Sequence, residues 1–346
     1  MRSFTCPHCD QLVFFENSVC VRCGTALGFD AEAREITVVG GELIPCANLN
    51  LAGCNWLVPA ATAGTTGGLC RCCVLTRTRP ANDDLAGLAA FRDAEEAKRR
   101  LVFQLLELGL PVDPHDEATG RGLAFDLLSN RHGPVTTGHE DGVVTLDLSE
   151  SDDAHRTQVR LELGEAYRTM LGHFRHEVGH YFETVLVDDA GRQEDARAIF
   201  GDERADYGEA IDRHYSQGAP AGWEQTHVSA YATMHPYEDW AETFAHVLHI
   251  LDTIQTAASF GMKVDRGPTG SDVLSAEPEI ADAFAGEPDS FGIVMDEWLP
   301  LTYALNAVNR SMGRGDLYPF VLNPAVIDKL AFVHDAIVRA AVNAHD

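Results

Sequence analysis

Cysteine is missing from most of this chain: all nine cysteines lie between positions 6 and 73, and none follows in a sequence of 346 residues. A disulfide framework normally pervades a small secreted domain, so this distribution argues against one. Clustered pairs at short spacing point instead to metal ligands in a reducing compartment. Long apolar runs are missing too. No window of about 18 consecutive apolar residues exists, and the opening "MRSFTCPHCD" has no apolar core of a signal peptide. The expectation is a protein with neither membrane span nor secretory signal, located in the cytoplasm. Positive charge is scarce, with 26 basic residues against 53 acidic and a formal net charge of −27. A phosphate backbone would be repelled by that field, so nucleic acid is not an expected partner. The excess acid reads as a solubilising surface. Internal repeats and low-complexity tracts are also absent, which excludes a solenoid.

What is present is enough to build a core. Hydrophobic residues make up 45% of the chain, and the length suits one principal domain plus one or two small modules. "CPHC" at Cys6 and Cys9 is followed by "CVRC" at Cys20 and Cys23. Two such turns can close a tetrahedral thiolate shell around Zn²⁺, and Gly24 suits the knuckle. A segment this short has too little core to fold without such a staple. His8 is left out of the shell because four thiolates suffice. Cys46, Cys54, Cys70 and Cys73 read as a second structural zinc site, with Cys72 pointing elsewhere. Neither set leaves a coordination position open for catalysis.

After Pro80 the composition changes. "DDLAGLAAFRDAEEAKRRLVFQLLELGLP" has apolar residues at helical spacing and stops before Pro111. "GLAFDLL" and "GVVTLDL" read as strands, the second alternating like a half-buried one. From about 153 helices dominate. The expected fold is therefore α+β: a zinc ribbon over 1–28, a second cysteine module over 29–80, and a mainly helical zincin-like domain with a small β-sheet over 81–346. The C-terminal part, 260–346, is expected to be helical.

"HEVGH" places His176, Glu177 and His180 in the HExxH pattern. On a helix, residues four apart share a face, so both imidazoles can reach one zinc ion while Glu177 sits beside it. Apolar residues on both flanks supply the stripe such a helix buries. A catalytic zinc needs a third protein ligand and a free position. The residues after the motif offer no histidine, which excludes the metzincin continuation. A later helix, "HPYEDWAETFAHVLHILDT", carries Glu238, Glu242 and His246 every four residues. Glu242 is the expected ligand, with Glu238 its rival and His246 a supporting neighbour. His173 is read as a neighbour of the site, Trp240 as core, and "FGDERADYGEAIDRHY" as a wall or solvated face. The "GVVTLDL" strand is a plausible cleft edge for an extended substrate.

Taken together, "CPHC", "CNWLVPA", "LCRCCVLTRTRP", "LGHFRHEVGHYF", "FGDERADY" and "VSAYATMHPYEDWAETFAHVLHILDT" make the chain resemble the bacterial family of zinc-binding metallopeptidases with a zinc-ribbon head. The resemblance covers almost the whole length. More distantly, "VSAYA" and "EDWAETFAH" look like the corresponding parts of the anthrax lethal-factor catalytic domain, a gluzincin. That likeness implies Glu242 as third ligand and Tyr231 as the phenol that supports the transition state. Four more residues separate Tyr231 from Glu242 than in that relative, and His246 stands where it carries an acid. The implied activity is hydrolysis of a peptide bond, by endopeptidase action on a peptide or protein, with Glu177 activating water on one catalytic Zn²⁺ beside two structural ones. The alternative is a non-catalytic zinc-binding scaffold that docks a protein partner through the ribbon head. Glu177 favours the enzyme, since a purely structural site needs no general base between its ligands.

Overall fold

The structure, a computed structural model, describes residues 2–151, 169–264 and 290–343. The chain has an α+β fold and divides into two compact units, residues 1–107 with 111–156, and residues 108–110 with 157–346. The expected helix from about 153 and the expected helical part from 260 each include residues outside the described set.

The first unit is built from strands too short to stand alone. β1 (Phe4–Thr5) pairs antiparallel with β2 (Leu12–Val13), β3 (Leu27–Asp30) with β4 (Glu35–Val38), and β5 (Leu43–Pro45) with β6 (Leu57–Pro59). A single helical turn, α1 (Leu49–Ala52), separates the last two. Two- to four-residue ladders contribute little by themselves. Buried aromatic rings join them: Phe15 and Phe29 lie 5.0 Å apart, Phe29 and Trp56 4.8 Å, and Phe15 and Phe103 5.0 Å. Phe103 comes from α2 (Leu85–Glu107), the long helix expected after Pro80. The ribbon, the second cysteine module and α2 thus share one core.

β7 (Thr76–Thr78), β8 (Ala124–Leu128), β9 (Gly138–Glu140) and β10 (Val143–Asp147) form a sheet in the order β7-β8-β10-β9. β8 runs parallel to β7 and β10, and β9 antiparallel to β10. Alternation along β10 is as expected, with Val144 and Leu146 buried. Its place is not. Paired with β8 along its length and with β9 over Val143–Thr145, "GVVTLDL" is an interior strand of the sheet and not its edge, so the cleft-edge expectation is corrected.

Beside the second cysteine set lies a buried ion pair. Lys98 Nζ is 2.6 Å from Glu95 Oε1, both side chains are fully buried, and Glu95 Oε2 is 3.8 Å from Cys73 Sγ.

In the second unit, α3 (Met170–Glu183) carries the HExxH pattern. Its N-cap is Thr169, whose hydroxyl accepts from the Gly172 N–H at 3.0 Å. A π turn over Thr184–Asp188 ends the helix. α4 (Gln193–Phe200) and α5 (Tyr207–Gln217) follow, then a 3₁₀ turn at Tyr231–Thr233. α6 (Pro236–Ser259) starts where a proline suits the first turn, with His235 Nδ1 accepting from the Tyr237 N–H. α7 (Phe291–Ser311) and α8 (Pro324–Asn343) complete the described helices. α6 is the hub, packing against α3, α4, α7 and α8. Among the described residues no helix is long and apolar enough to cross a membrane.

Breaking the buried pair from one side leaves a charge uncompensated, so Lys98→Met should cost about 3–5 kcal/mol in chemical denaturation. Lys98→Met combined with Glu95→Leu should recover most of that loss. A Lys98→Met protein as stable as wild type would mean the pair carries no such weight.

Candidate metal centre and active site

Three groups of ligating atoms converge, each set lying within 4.8 Å: Cys6, Cys9, Cys20 and Cys23; Cys46, Cys54, Cys70 and Cys73; and His176, His180 and Glu238. In the cysteine sets the sulfurs approach without bonding. Cys6 and Cys23 are 3.7 Å apart, Cys9 and Cys20 3.6 Å, and Cys54 and Cys70 3.6 Å. A tetrahedron with Zn–S bonds of about 2.3 Å has edges of nearly that length. Cys72 is fully buried and stands outside its set, as does His8 in the first.

The third group owes its existence to a glycine. Gly179 lies between the two histidines, and a Cβ there would meet the Cα of Ala241 at 3.1 Å and its carbonyl oxygen at 3.2 Å. Its bare backbone lets α6 lie directly against α3. Trp240, fully buried as expected of a core residue, donates its indole N–H to the Gly179 carbonyl at 2.8 Å. Phe182 stacks on Phe244 at 5.4 Å, and Arg175 Nη2 reaches Asp252 Oδ2 at 2.6 Å. The two helices are pinned on both sides of the histidines.

That packing brings both candidate carboxylates to the imidazoles, in different roles. Glu238 Oε2 lies 3.0 Å from His176 Nε2 and 3.5 Å from His180 Nε2. Glu242 Oε1 meets the other nitrogen of His176, Nδ1, at 2.8 Å. It is Glu238, not Glu242, that faces the nitrogens of both histidines. Each acid has a partner of its own. Tyr207 donates its hydroxyl to Glu238 Oε1 at 2.6 Å, and Ser229 donates to Glu242 Oε2 at 2.6 Å. Tyr237 stacks on the His180 ring at 4.0 Å. Tyr231 stands with its ring 5.9 Å from that of His176. His246 is one turn farther along α6, with its Nδ1 2.7 Å from the Tyr318 hydroxyl. His173 is not among the converging atoms.

Tyr207 lies in the stretch expected to be a wall or a solvated face, and it reaches the site through its bond to Glu238. Tyr207, Ser229 and Tyr318 touch the site from segments with no metal-ligand pattern. Tyr207 and Ser229 fall within "FGDERADY" and "VSAYA", stretches that carry the family resemblance, but no local ligand spacing marks these particular residues.

The electrostatics favour a cation here. Burial opposes charge on His176, yet the carboxylates of Glu238 and Glu242 outweigh it and push the imidazole well above its ordinary range. Burial likewise opposes ionisation of Glu238, but His176 and His180 hold it far below the usual carboxylate range. Glu242, again against burial, is lowered by His176 to about 2. His180 is held down, by burial first. Two carboxylates thus face one imidazole, a concentration of negative charge that a divalent ion would balance. Two Nε2 atoms and a carboxylate oxygen whose partner oxygen is already tied to a phenol fit a zinc ion.

Glu177, 8% exposed, has no carboxylate partner and is pushed by burial to about 7, with Glu238 and Glu242 adding and His176 opposing. Its ionisation in the unfolded chain is complete well below that. Folding therefore loses stability as pH rises from about 4.5 to about 7, and the loss is fully present above 7. In metal-stripped protein, Glu177→Gln should gain up to about 3 kcal/mol at pH 8 and nothing near pH 4. Denaturant titrations at the two pH values read this directly, and a gain independent of pH would contradict it.

Comparison with known proteins agrees with this chemistry. Residues 87–336 match the family described as "Putative zinc-binding metallo-peptidase", and residues 3–84 match a zinc-ribbon domain. Proteins described as uncharacterized, from Mycobacterium tuberculosis and Mycobacterium bovis, are each 50% identical over 344 residues, covering 99% of this chain and 96% of their own. No solved structure matches. A family match over most of the chain that contains the three converging ligands and is preceded by the ribbon makes this protein a member of the zinc-binding metallo-peptidase family with a zinc-ribbon head.

Proposed function

We propose that the protein is a zinc-dependent peptidase of gluzincin type, in which His176, His180 and Glu238 hold the metal and Glu177 is the general base. The observation that carries this reading is the convergence of two Nε2 atoms and one carboxylate oxygen beside a buried, unpaired Glu177. Glu242 then acts through His176: its bond to Nδ1 fixes the tautomer and aims Nε2, and Ser229 holds the carboxylate in turn. This exchanges the roles expected from the sequence. Glu238 precedes Glu242 by one helical turn, so the four-residue excess in the spacing from Tyr231 disappears. The resemblance therefore favours Tyr231 more than before.

Zinc at these residues would supply Lewis acidity, acidifying a water molecule and polarising a peptide carbonyl. Glu177, with a proton affinity near neutral, accepts the proton from water and returns it to the leaving amine nitrogen. Tyr231 keeps its phenolic proton, because burial first and the Glu238 charge next raise it above its ordinary value. It can therefore donate to the oxygen on which negative charge develops. Tyr207 restrains Glu238 and leaves its second oxygen for the metal. The two cysteine sets act as structural zinc sites, and their thiols suit a reducing cytoplasm. Substrate is a peptide or protein, cut within the chain, and the ribbon head is the candidate surface for a protein partner.

Elemental analysis of purified variants separates the ligand from its support. Glu238→Gln should empty the histidine site, whereas Glu242→Gln should retain it with affinity reduced about 10- to 100-fold. The reverse order would restore Glu242 as ligand. Glu177→Gln should keep its zinc and lower kcat/KM on a cleaved peptide about 100- to 10,000-fold. Tyr231→Phe should lower kcat about 100-fold with zinc content unchanged. Equal turnover in wild type and Glu177→Gln would favour the scaffold over the peptidase.

A further inference from the structure

A cavity of 360 Å³ adjoins the metal centre within the second unit. Its size is in the range of sites that take small ligands or a large side chain. The π turn over Thr184–Asp188 forms one wall, placing Val187 and Asp188 on the cavity. Single π turns of this kind recur at functional sites, where they re-aim side chains. Val187, Phe200 and Tyr237 make the lining apolar, and two residues link it to the histidine site. Tyr237 stacks on His180, and Tyr207 bonds Glu238. Whatever fills the cavity lies one side chain away from the candidate ligands.

The polar groups on the lining are unequal. Arg197 is fully engaged by Glu203, with its Nε 3.0 and 2.9 Å from the two carboxylate oxygens and its Nη2 2.6 Å from Oε1. That pair is self-neutralising. Glu183, by contrast, has a buried oxygen, Oε2, with no hydrogen-bond partner. An acid left in this state costs stability unless a cation joins it. Burial, followed by the charges of Asp188, Glu203 and Glu238, raises its carboxyl to about 9. A cavity with apolar walls and an uncommitted carboxyl group, which a cation would ionise, matches a charged head on an aliphatic stem.

We propose that this cavity receives the lysine or arginine side chain of a peptide whose neighbouring bond is cut at the metal centre, with Glu183 as the counter-ion. This rests on the peptidase reading above and adds a substrate class to it. Apolar walls take the methylene stem, Glu183 takes the cationic head, and the stacked Tyr237 separates the side chain from His180. The net charge of −27 draws such substrates toward the protein.

Binding tests this apart from turnover. Zinc-loaded Glu177→Gln protein is titrated by calorimetry with three capped peptides identical except for arginine, lysine or norleucine at one position, scanned along the peptide. At one position a basic side chain should bind at least about 30-fold tighter than norleucine. Adding Glu183→Gln should abolish that preference while leaving zinc content unchanged and Tm no lower. Ala196→Phe, which fills the cavity from α4, should weaken both kinds of peptide. Equal binding of basic and norleucine peptides overturns the proposal, as does a preference that survives Glu183→Gln. If the wild type cleaves no peptide yet the Glu183-dependent preference is found, the peptidase reading fails and the basic-side-chain site stands.

Discussion

The contact between the backbone of Gly179 and that of Ala241 is the constraint on which the second unit depends. With any side chain at residue 179 the two helices would have to separate by a few tenths of an ångström or more. His176 and His180 would then lose the carboxylates of the facing helix. The hydrophobic contacts around this point, Phe182 with Phe244 and Trp240 beneath Gly179, place atoms to a precision that hydrogen bonds alone would not give. Polar chemistry in this protein is positioned by apolar packing. The same relation holds in the first unit, where aromatic rings from separate short hairpins and α2 form one core around two cysteine clusters.

The charges follow from that arrangement. Two buried acids face one imidazole, and neither acid would remain ionised there without a positive partner. A metal ion resolves the imbalance, and a proton on His176 resolves it less completely. Glu177 differs because burial outweighs the opposing charge of His176, so its carboxyl stays near the point where it can take or give a proton. The division of labour among three glutamates of one residue type is thus made by their neighbours and not by their chemistry.

Local pattern made the elements legible. Helical spacing of apolar residues gave the Leu85–Glu107 helix, alternation gave the Val143–Asp147 strand, and two CxxC pairs gave the first cysteine set, while one CxxC joined to two more widely spaced cysteines gave the second. HExxH identified the right helix because its information lies within five residues. What could not be read was anything decided by rotation between helices. Glu238 and Glu242 are one turn apart and lie on the same face, so their sequence contexts are nearly equivalent. Only the docking angle of α6 on α3 decides which meets Nε2 and which meets Nδ1. Sheet order was hidden for a similar reason: β10 carries the alternation of a half-buried strand whether it is central or at an edge. Tyr207 was missed because a phenol 31 residues before its partner Glu238 has no signature in a single sequence.

The bond from Tyr207 to Glu238 has a consequence for which ion the centre prefers. A carboxylate with one oxygen engaged by a phenol presents a single oxygen toward the histidines, and the set totals two nitrogens and one oxygen. Calcium asks for about six to eight oxygens, and magnesium for a near-octahedral oxygen shell that retains its waters. Neither is well served by two imidazoles and a monodentate acid. Ions of the later transition series accept nitrogen readily and tolerate low coordination numbers. In the proposed centre, discrimination against the abundant alkaline-earth ions would rest on the two imidazoles, helped by a hydroxyl that need never touch the metal.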